Sequence, residues 1–162
     1  MNLITQYLHS NHIVLNAPHT NKKRSFKAIA DLFSDLDGVS SQAVYQALTN
    51  RERMESTGLG YGVAIPHGRV QGLNNTVCAI MRLSTAIEFE APDNLPVQLM
   101  IILLVPEHAG QAHLDLLSEL ATLLSSRDFR SVLFNAATDT EIYRAFLTGQ
   151  AKSIASPLDT DV

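Results

Sequence analysis

The chain of 162 residues holds one cysteine, Cys78, and no tryptophan. A single thiol excludes an internal disulfide and a multi-thiolate zinc site within one chain. Long hydrophobic runs are also missing. The longest, at 99–105, falls far short of the roughly 20 apolar residues that a membrane span needs. No charged stretch followed by an apolar one opens the chain, so neither a secretory signal nor membrane insertion is expected. Basic residues number 12 against 16 acidic ones. The net charge of −4 disfavours nucleic acid as a partner, because phosphate contacts need a basic surface. What is there, at 46% hydrophobic and 17% charged, is apolar enough to bury a core and too apolar for disorder. The length is that of one domain. Against the one thiol stand six histidines, so imidazole is the expected carrier of any chemistry near neutral pH.

The pattern along the chain is that of helices alternating with strands. Residues 1–10 carry scattered apolar side chains (Leu3, Ile4, Tyr7, Leu8) and are expected to form a short helix. Ile13, Val14 and Leu15 make 12–16 a first strand. Over 22–36, Ile29, Leu32, Phe33 and Leu36 recur at the spacing of an amphipathic helix, stopped by Asp37-Gly38. A second helix over 42–53 has Ser40 or Ser41 as its N-cap and Val44, Ala47 and Leu48 on one face. The run from Gly58 to Gly62 is too rich in glycine for a helix, and 63–65 then reads as a short strand ended by Pro66. Residues 76–83 alternate as a strand. Residues 97–105 are apolar on both parities, as in a central strand covered on both faces. A leucine-rich helix follows over 113–124, and Ser125-x-x-Asp128 and Thr138-x-x-Glu141 read as capping boxes for two more. A domain of residues 1–150 followed by a frayed tail over 151–162 is expected. Such an alternation predicts one α/β domain with helices on both faces of a sheet.

The stretch 51–69, RERMESTGLGYGVAIPHGR, departs from this generic pattern. It sets His67 between Pro66 and Gly68 directly after a strand. Proline fixes the approach of the backbone, and glycine leaves the ring uncovered on one side. The glycines before it allow backbone N–H groups to approach an anion closely. The plainer reading is a turn histidine beside a glycine-rich loop. Nucleotide readings fail: Gly58-x-Gly60-x-Gly62 is not G-x-G-x-x-G, Pro66 prevents the helix that would hold a pyrophosphate, and no G-K-[ST] is present.

Helical phase adds two residues. Arg51 lies seven after Val44 and continues the inward stripe, where a guanidinium needs an anionic partner; the alternative is an arginine snorkelling from the last turn. His113 opens the leucine-rich helix on the face of Leu116, Leu117, Leu120 and Leu124. The helix N-terminus there favours a neutral ring that donates one N–H to an anion, against the simpler role of a cap or core histidine. The other histidines form no zinc-ligand pattern: His9 and His12 straddle a boundary, His108 and His113 are five apart, and His19 has no companion. Cys78 reads as a small buried apolar residue. Asn74-Asn75-Thr76 matches a glycosylation sequon, which means little without a secretory signal.

The segment STGLGYGVAIPHGR, preceded by Arg51-Glu52 and followed by LLVPEHAGQAHLDLLSELA, resembles the IIA proteins of the phosphoenolpyruvate–sugar phosphotransferase system. The resemblance is to the fructose/mannitol/nitrogen type and, within it, to the nitrogen-regulatory branch. It implies a mixed, mostly parallel sheet flanked by helices, and a cytoplasmic phosphocarrier that needs no cofactor or metal. His67 would accept a phosphoryl group from a histidine phosphocarrier protein, with Arg51 and His113 lining the phosphate. Thr57, as a phosphate-facing hydroxyl, and Gly68 are added as expected phosphate contacts. Tyr61 stands at a variable family position with no assigned effect. A regulated target (sensor kinase, transporter or enzyme) is the implied partner. The alternatives are a sugar-specific IIA relay to a IIB domain and, more distantly, a binding module without phosphotransfer or a zinc hydrolase.

Overall fold

The computed structural model describes residues 4–36 and 38–159, apart from the side chains of residues 112 and 150–159. After a 3-10 turn, Ile4–Gln6, come β1 (Leu8–Ala17), α1 (Lys22–Leu32), α2 (Ser41–Met54), β2 (Gly58–Gly60), β3 (Val63–Ala64) and β4 (His67–Val70). Then follow β5 (Val77–Ile87), β6 (Val97–Pro106), α3 (Ala112–Leu124), α4 (Arg127–Asn135) and α5 (Asp139–Asp159). The sheet runs β1-β5-β6-β3-β2, with β4 also on β6. Its pairings are parallel for β1/β5, β3/β6 and β4/β6 and antiparallel for β5/β6 and β2/β3, so the sheet is mixed and mostly parallel.

The double parity of β6 has the expected cause. Met100, Ile102 and Leu104 face α1 and α2, together with Ala79, Met81 and Leu83 of β5. Leu99, Ile101, Leu103 and Val105 face the other side, where Leu116, Leu120, Leu133, Ile142 and Phe146 come from α3, α4 and α5. With helices on both faces, β6 has no solvent side on which a polar residue would be favoured.

Several boundaries differ from the sequence expectation. In place of a helix over 1–10 there is one 3-10 turn and then β1, because Cys78 N–H donates to Tyr7 O at 3.0 Å and β5 takes up Leu8 as a partner; residues 1–3 lie outside the described residues. An irregular register between Leu8 and Ile13 erases the alternation that would have marked the longer strand. The first helix ends at Leu32 rather than 36. Phe33 and Leu36 stay on the core side through successive turns, Phe33 N–H to Ala30 O and Leu36 N–H to Phe33 O; Asp37 lies outside the described residues. The cap of α4 is Ser126, not Ser125: its hydroxyl accepts from Phe129 N–H at 3.2 Å. At α5, Thr138 Oγ1 accepts from Glu141 N–H, and Glu141 Oε2 accepts in return from Ala137 N–H. The tail expected over 151–162 has helical backbone to Asp159; its side chains and residues 160–162 lie outside the described residues.

Two features of the middle of the chain set up the site. Tyr61 and Gly62 both have positive φ, 60° and 81°, and join β2 to β3 in a two-residue turn of the I′ kind. Tyr61 gives its N–H to Asp93 Oδ2 at 2.8 Å and lies under the Arg130 guanidinium at 4.0 Å, so its place is structural. Pro66 does not end the extended segment but interrupts it. β3 pairs with Leu99 and Met100, and β4 resumes on the same strand from Leu103 to Pro106. The strand β4 was missed because the proline, which lacks a ladder donor, sits in the gap.

Candidate functional site

His67 is the first residue of β4, directly after that gap. Its Nδ1 is 2.8 Å from Ile65 O, so Nδ1 carries the proton. Its Nε2 is 3.2 Å from Arg51 Nε, a donor, so Nε2 holds the lone pair. The two partners independently assign the same tautomer. The ring is half-buried, and its pKa is lowered from 6.5 chiefly by that burial. The bond to Ile65 opposes the shift, the positive charge of Arg51 and the His113 ring add to it, and the Glu52 carboxylate opposes it. His67 is therefore a neutral imidazole at neutral pH with one nitrogen free of hydrogen.

Arg51 comes from the last turn of α2. Its Nη1 donates to Glu55 O at 2.7 Å, which closes the helix end and aims Nε at His67. His113, in the first turn of α3, has Nδ1 2.6 Å from Gly110 O and Nε2 3.5 Å from Arg69 Nη2. Its N–H thus goes to the Gly110 carbonyl, and not to an anion as the helix N-terminus predicts. Arg69 was not anticipated. Its Nη1 donates to Ala109 O at 2.6 Å and Glu107 O at 3.2 Å, tying β4 to the loop before α3. It lies two residues after His67 on the same face of β4, a relation that reading 67–70 as a strand would have exposed.

A cavity of about 400 Å³ collects these groups. Arg51, Asn50, Met54, His67, Arg69 and His113 line it, with Gly68 and Ala47 in the wall and Leu103 and Val105 as apolar floor. Among the described residues its lining holds two guanidiniums and two imidazoles and no carboxylate. Gly68 packs closely on α2: a Cβ there would lie 3.2 Å from the carbonyl carbon, the oxygen and the Cβ of Ala47, tighter than ordinary contact. Thr57, expected to present its hydroxyl to the phosphate, does not line the cavity. It is buried and donates that hydroxyl to Glu52 Oε1 at 2.5 Å, so its one proton is already used.

The remaining candidates lie elsewhere. His12 is buried in β1 against Phe33, with ring centroids 4.8 Å apart, and His9 meets its edge. His108 is exposed beside Glu107. Burial pushes the Cys78 thiol up to about 12, which leaves it inert. Among the described residues no group of three or more His, Cys, Asp or Glu is placed to hold a metal ion, and no helix is long and apolar enough to cross a membrane.

Comparison with known proteins assigns the chain to a family. Residues 6–148 fit the family model described as phosphoenolpyruvate-dependent sugar phosphotransferase system, EIIA 2. The nitrogen regulatory protein of Pseudomonas aeruginosa is 37% identical over 142 residues, covering 87% of this chain and 92% of that one. The fructose-specific EIIA component of Haloferax volcanii is 34% identical over 125 residues, 76% of this chain and 81% of its own. The crystal structure of nitrogen regulatory protein IIA-Ntr from Neisseria meningitidis superposes with a TM-score of 0.85 at 40% identity, covering 89% of this chain and 99% of that one. The match over residues 6–148, together with relatives at 34–40% identity, establishes the family: this chain is a member of the phosphotransferase system EIIA 2 family.

Proposed function

We propose that this chain is a regulatory phosphocarrier in which His67 accepts a phosphoryl group at Nε2 from the phosphohistidine of a small carrier protein. The observation that carries the reading is the pairing of a neutral His67, its Nε2 lone pair facing the cavity, with a lining that among the described residues holds two guanidiniums and no carboxylate. The Nε2 lone pair forms the new N–P bond while the N–P bond to the donor's imidazole breaks and its electron pair returns to that ring. The Nδ1 proton stays on His67, held by Ile65 O, so no general base is needed. Donor and acceptor bonds are alike in energy, and catalysis reduces to positioning and to stabilising the equatorial oxygens. Arg51 moves from Nε2 to a phosphoryl oxygen, and Arg69 and His113, 3.5 Å apart in the same cavity, face the same group, with Gly68 in the cavity wall.

Phosphorylation adds negative charge at a surface cavity, and a target docked around it is then bound or released. The likeness to nitrogen regulatory proteins supports this regulatory role over a sugar relay. The likeness to a fructose-specific component keeps one second reading, transfer onward to a IIB domain. The test is incubation with phosphoenolpyruvate, enzyme I and the carrier protein, followed by mass measurement of the peptides. One phosphoryl group on the peptide containing His67, and none in His67→Ala, is the expected result; full labelling of that variant would overturn the assignment. Adding a IIB domain to the labelled protein then separates the two roles: retention of the label supports regulation, and its loss to IIB supports the relay.

A further inference from the structure

Behind His67 runs a chain of hydrogen bonds that starts at a buried carboxylate. Glu52, on α2 next to Arg51, is 8% exposed although charged. Its Oε2 accepts from Lys22 Nζ at 3.0 Å and from the Thr57 backbone N–H at 3.0 Å, and its Oε1 accepts the Thr57 hydroxyl at 2.5 Å. Lys22 is itself held, donating to Phe89 O at 3.0 Å with its ammonium 4.3 Å from the Phe89 ring centre. Thr57 is thus gripped at both its backbone and its side chain. Its carbonyl accepts the Ile65 N–H at 3.0 Å, and Ile65 O accepts the Nδ1–H of His67 at 2.8 Å.

Every link is a fixed partner in a buried or half-buried place, and the last link decides which ring nitrogen carries the proton. Ile65 lies in the gap between β3 and β4 and pairs in neither ladder, although the next carbonyl, Pro66 O, accepts from Leu103 N–H of β6 at 3.0 Å. On its other side the Ile65 peptide is held by its N–H, which donates to Thr57 O at 3.0 Å, and this bond steadies the residue whose carbonyl meets the ring. We propose that Glu52 and Thr57 are positioning residues for His67: they set its tautomer, and with it the nitrogen that is phosphorylated, through Thr57 O and the Ile65 peptide. Neither touches the phosphoryl group. This role rests on the phosphocarrier reading only for its consequence in transfer; the tautomer itself is a property of the unlabelled protein.

The experiment compares Thr57→Val, Thr57→Ser and Glu52→Gln with the wild-type chain. Thr57→Val keeps the shape and the backbone N–H and removes only the hydroxyl. The tautomer of His67 is read from imidazole 15N shifts at alkaline pH, the transfer rate from labelling by the phosphorylated carrier protein, and the linkage isomer from the phosphopeptide. Thr57→Val and Glu52→Gln are expected to lower the Nδ1–H population, to slow transfer roughly 10- to 100-fold as misplaced reacting groups do, and to yield some Nδ1-linked product. Thr57→Ser restores all three. Wild-type tautomer and rate in both Thr57→Val and Glu52→Gln would overturn the proposal. Thermal melting identifies a variant that fails to fold, in which case the other one decides. If the wild-type chain is never labelled at His67, the phosphocarrier reading falls, while the 15N measurement still judges the positioning role by itself.

Discussion

Arg51 Nε donates to His67 Nε2 across 3.2 Å, so the guanidinium rests on the very lone pair that the proposed transfer uses to attack phosphorus. The contact keeps Nε2 free of a proton and places a permanent positive charge where, in the proposed transfer, the phosphoryl oxygens would arrive. Replacing Arg51 by Gln removes a charged hydrogen bond worth about 2 kcal/mol, which is roughly a 30-fold fall in transfer rate. Rapid-quench labelling measures it, and an unchanged rate would show that Arg51 only caps α2 through Glu55 O.

The pH dependence of acceptance follows from the lowered pKa of His67. Burial holds the ring neutral below its ordinary value of 6.5, so labelling is expected to stay level as pH falls through 6.5 and to decline only in more acid solution. Arg51→Gln also removes a positive neighbour, and its inflection should move upward. A decline already centred above 6.5 in the wild-type protein would contradict the burial argument.

Arg69 and His113 act as one wall of the cavity. Arg69 ties His113 to the loop carbonyls of Glu107 and Ala109, so Arg69→Ala frees both that loop and the ring. Transfer is expected to slow in Arg69→Ala and in His113→Ala while His67 still accepts the label. The double variant should cost less than the sum of the single effects, because the residues share a contact. Additive losses in a double-mutant cycle would separate their roles.

Gly68 packs on the α2 backbone, and a methyl group there must push Ala47 away by a few tenths of an ångström. Gly68→Ala is expected to destabilise the fold by about 1–3 kcal/mol, the usual scale of overpacking, and to slow transfer by shifting β4 against α2. Urea unfolding gives the first quantity and labelling the second. A variant with wild-type stability would mean that α2 yields at no cost.

His12 links stability to pH. Its ring is buried, and neither nitrogen has a hydrogen-bond partner among the described residues. Its pKa is lowered first by that burial and then by the charge of His9, against the pull of Asp35. The unfolded chain, with a pKa near 6.5, therefore binds more protons than the folded one as pH falls below that value. Stability is complete above about 6.5 and is lost as pH drops through the lowered folded value. Urea midpoints should fall between pH 7.5 and 5.5, and His12→Leu should flatten that fall. His67 contributes with the same sign, so the slope is reduced and not abolished. An unchanged slope in His12→Leu would remove His12 as a source.

Much of the architecture was legible because burial writes a period into the chain. The even apolarity of 97–105 announced a strand covered on both faces, and the stripe of Val44, Ala47 and Leu48 led by phase to Arg51. The leucine face that starts at His113 did the same for the second histidine. Where pairing overrides local pattern, the reading failed. β1 begins at Leu8 through a register irregularity, and β4 was hidden behind a proline that usually closes a strand. Arg69 went unseen with it, and Thr57 was turned toward the wrong neighbour.

The family was decided by the sequence alone, and the proposal of His67 as acceptor starts there too. The order of glycines, Pro66 and His67 reflects local backbone requirements that residue types carry with them, and helical phase is a property of spacing. The tertiary structure alone decided which nitrogen of His67 is free, because that depends on partners 2 and 16 residues away meeting one ring. It also joined Lys22, Glu52, Thr57 and Ile65 into one path, over 43 residues of chain. Hydrogen bonds act over about 3 Å, and contacts at that range between distant segments exist only once the sheet has brought the segments together.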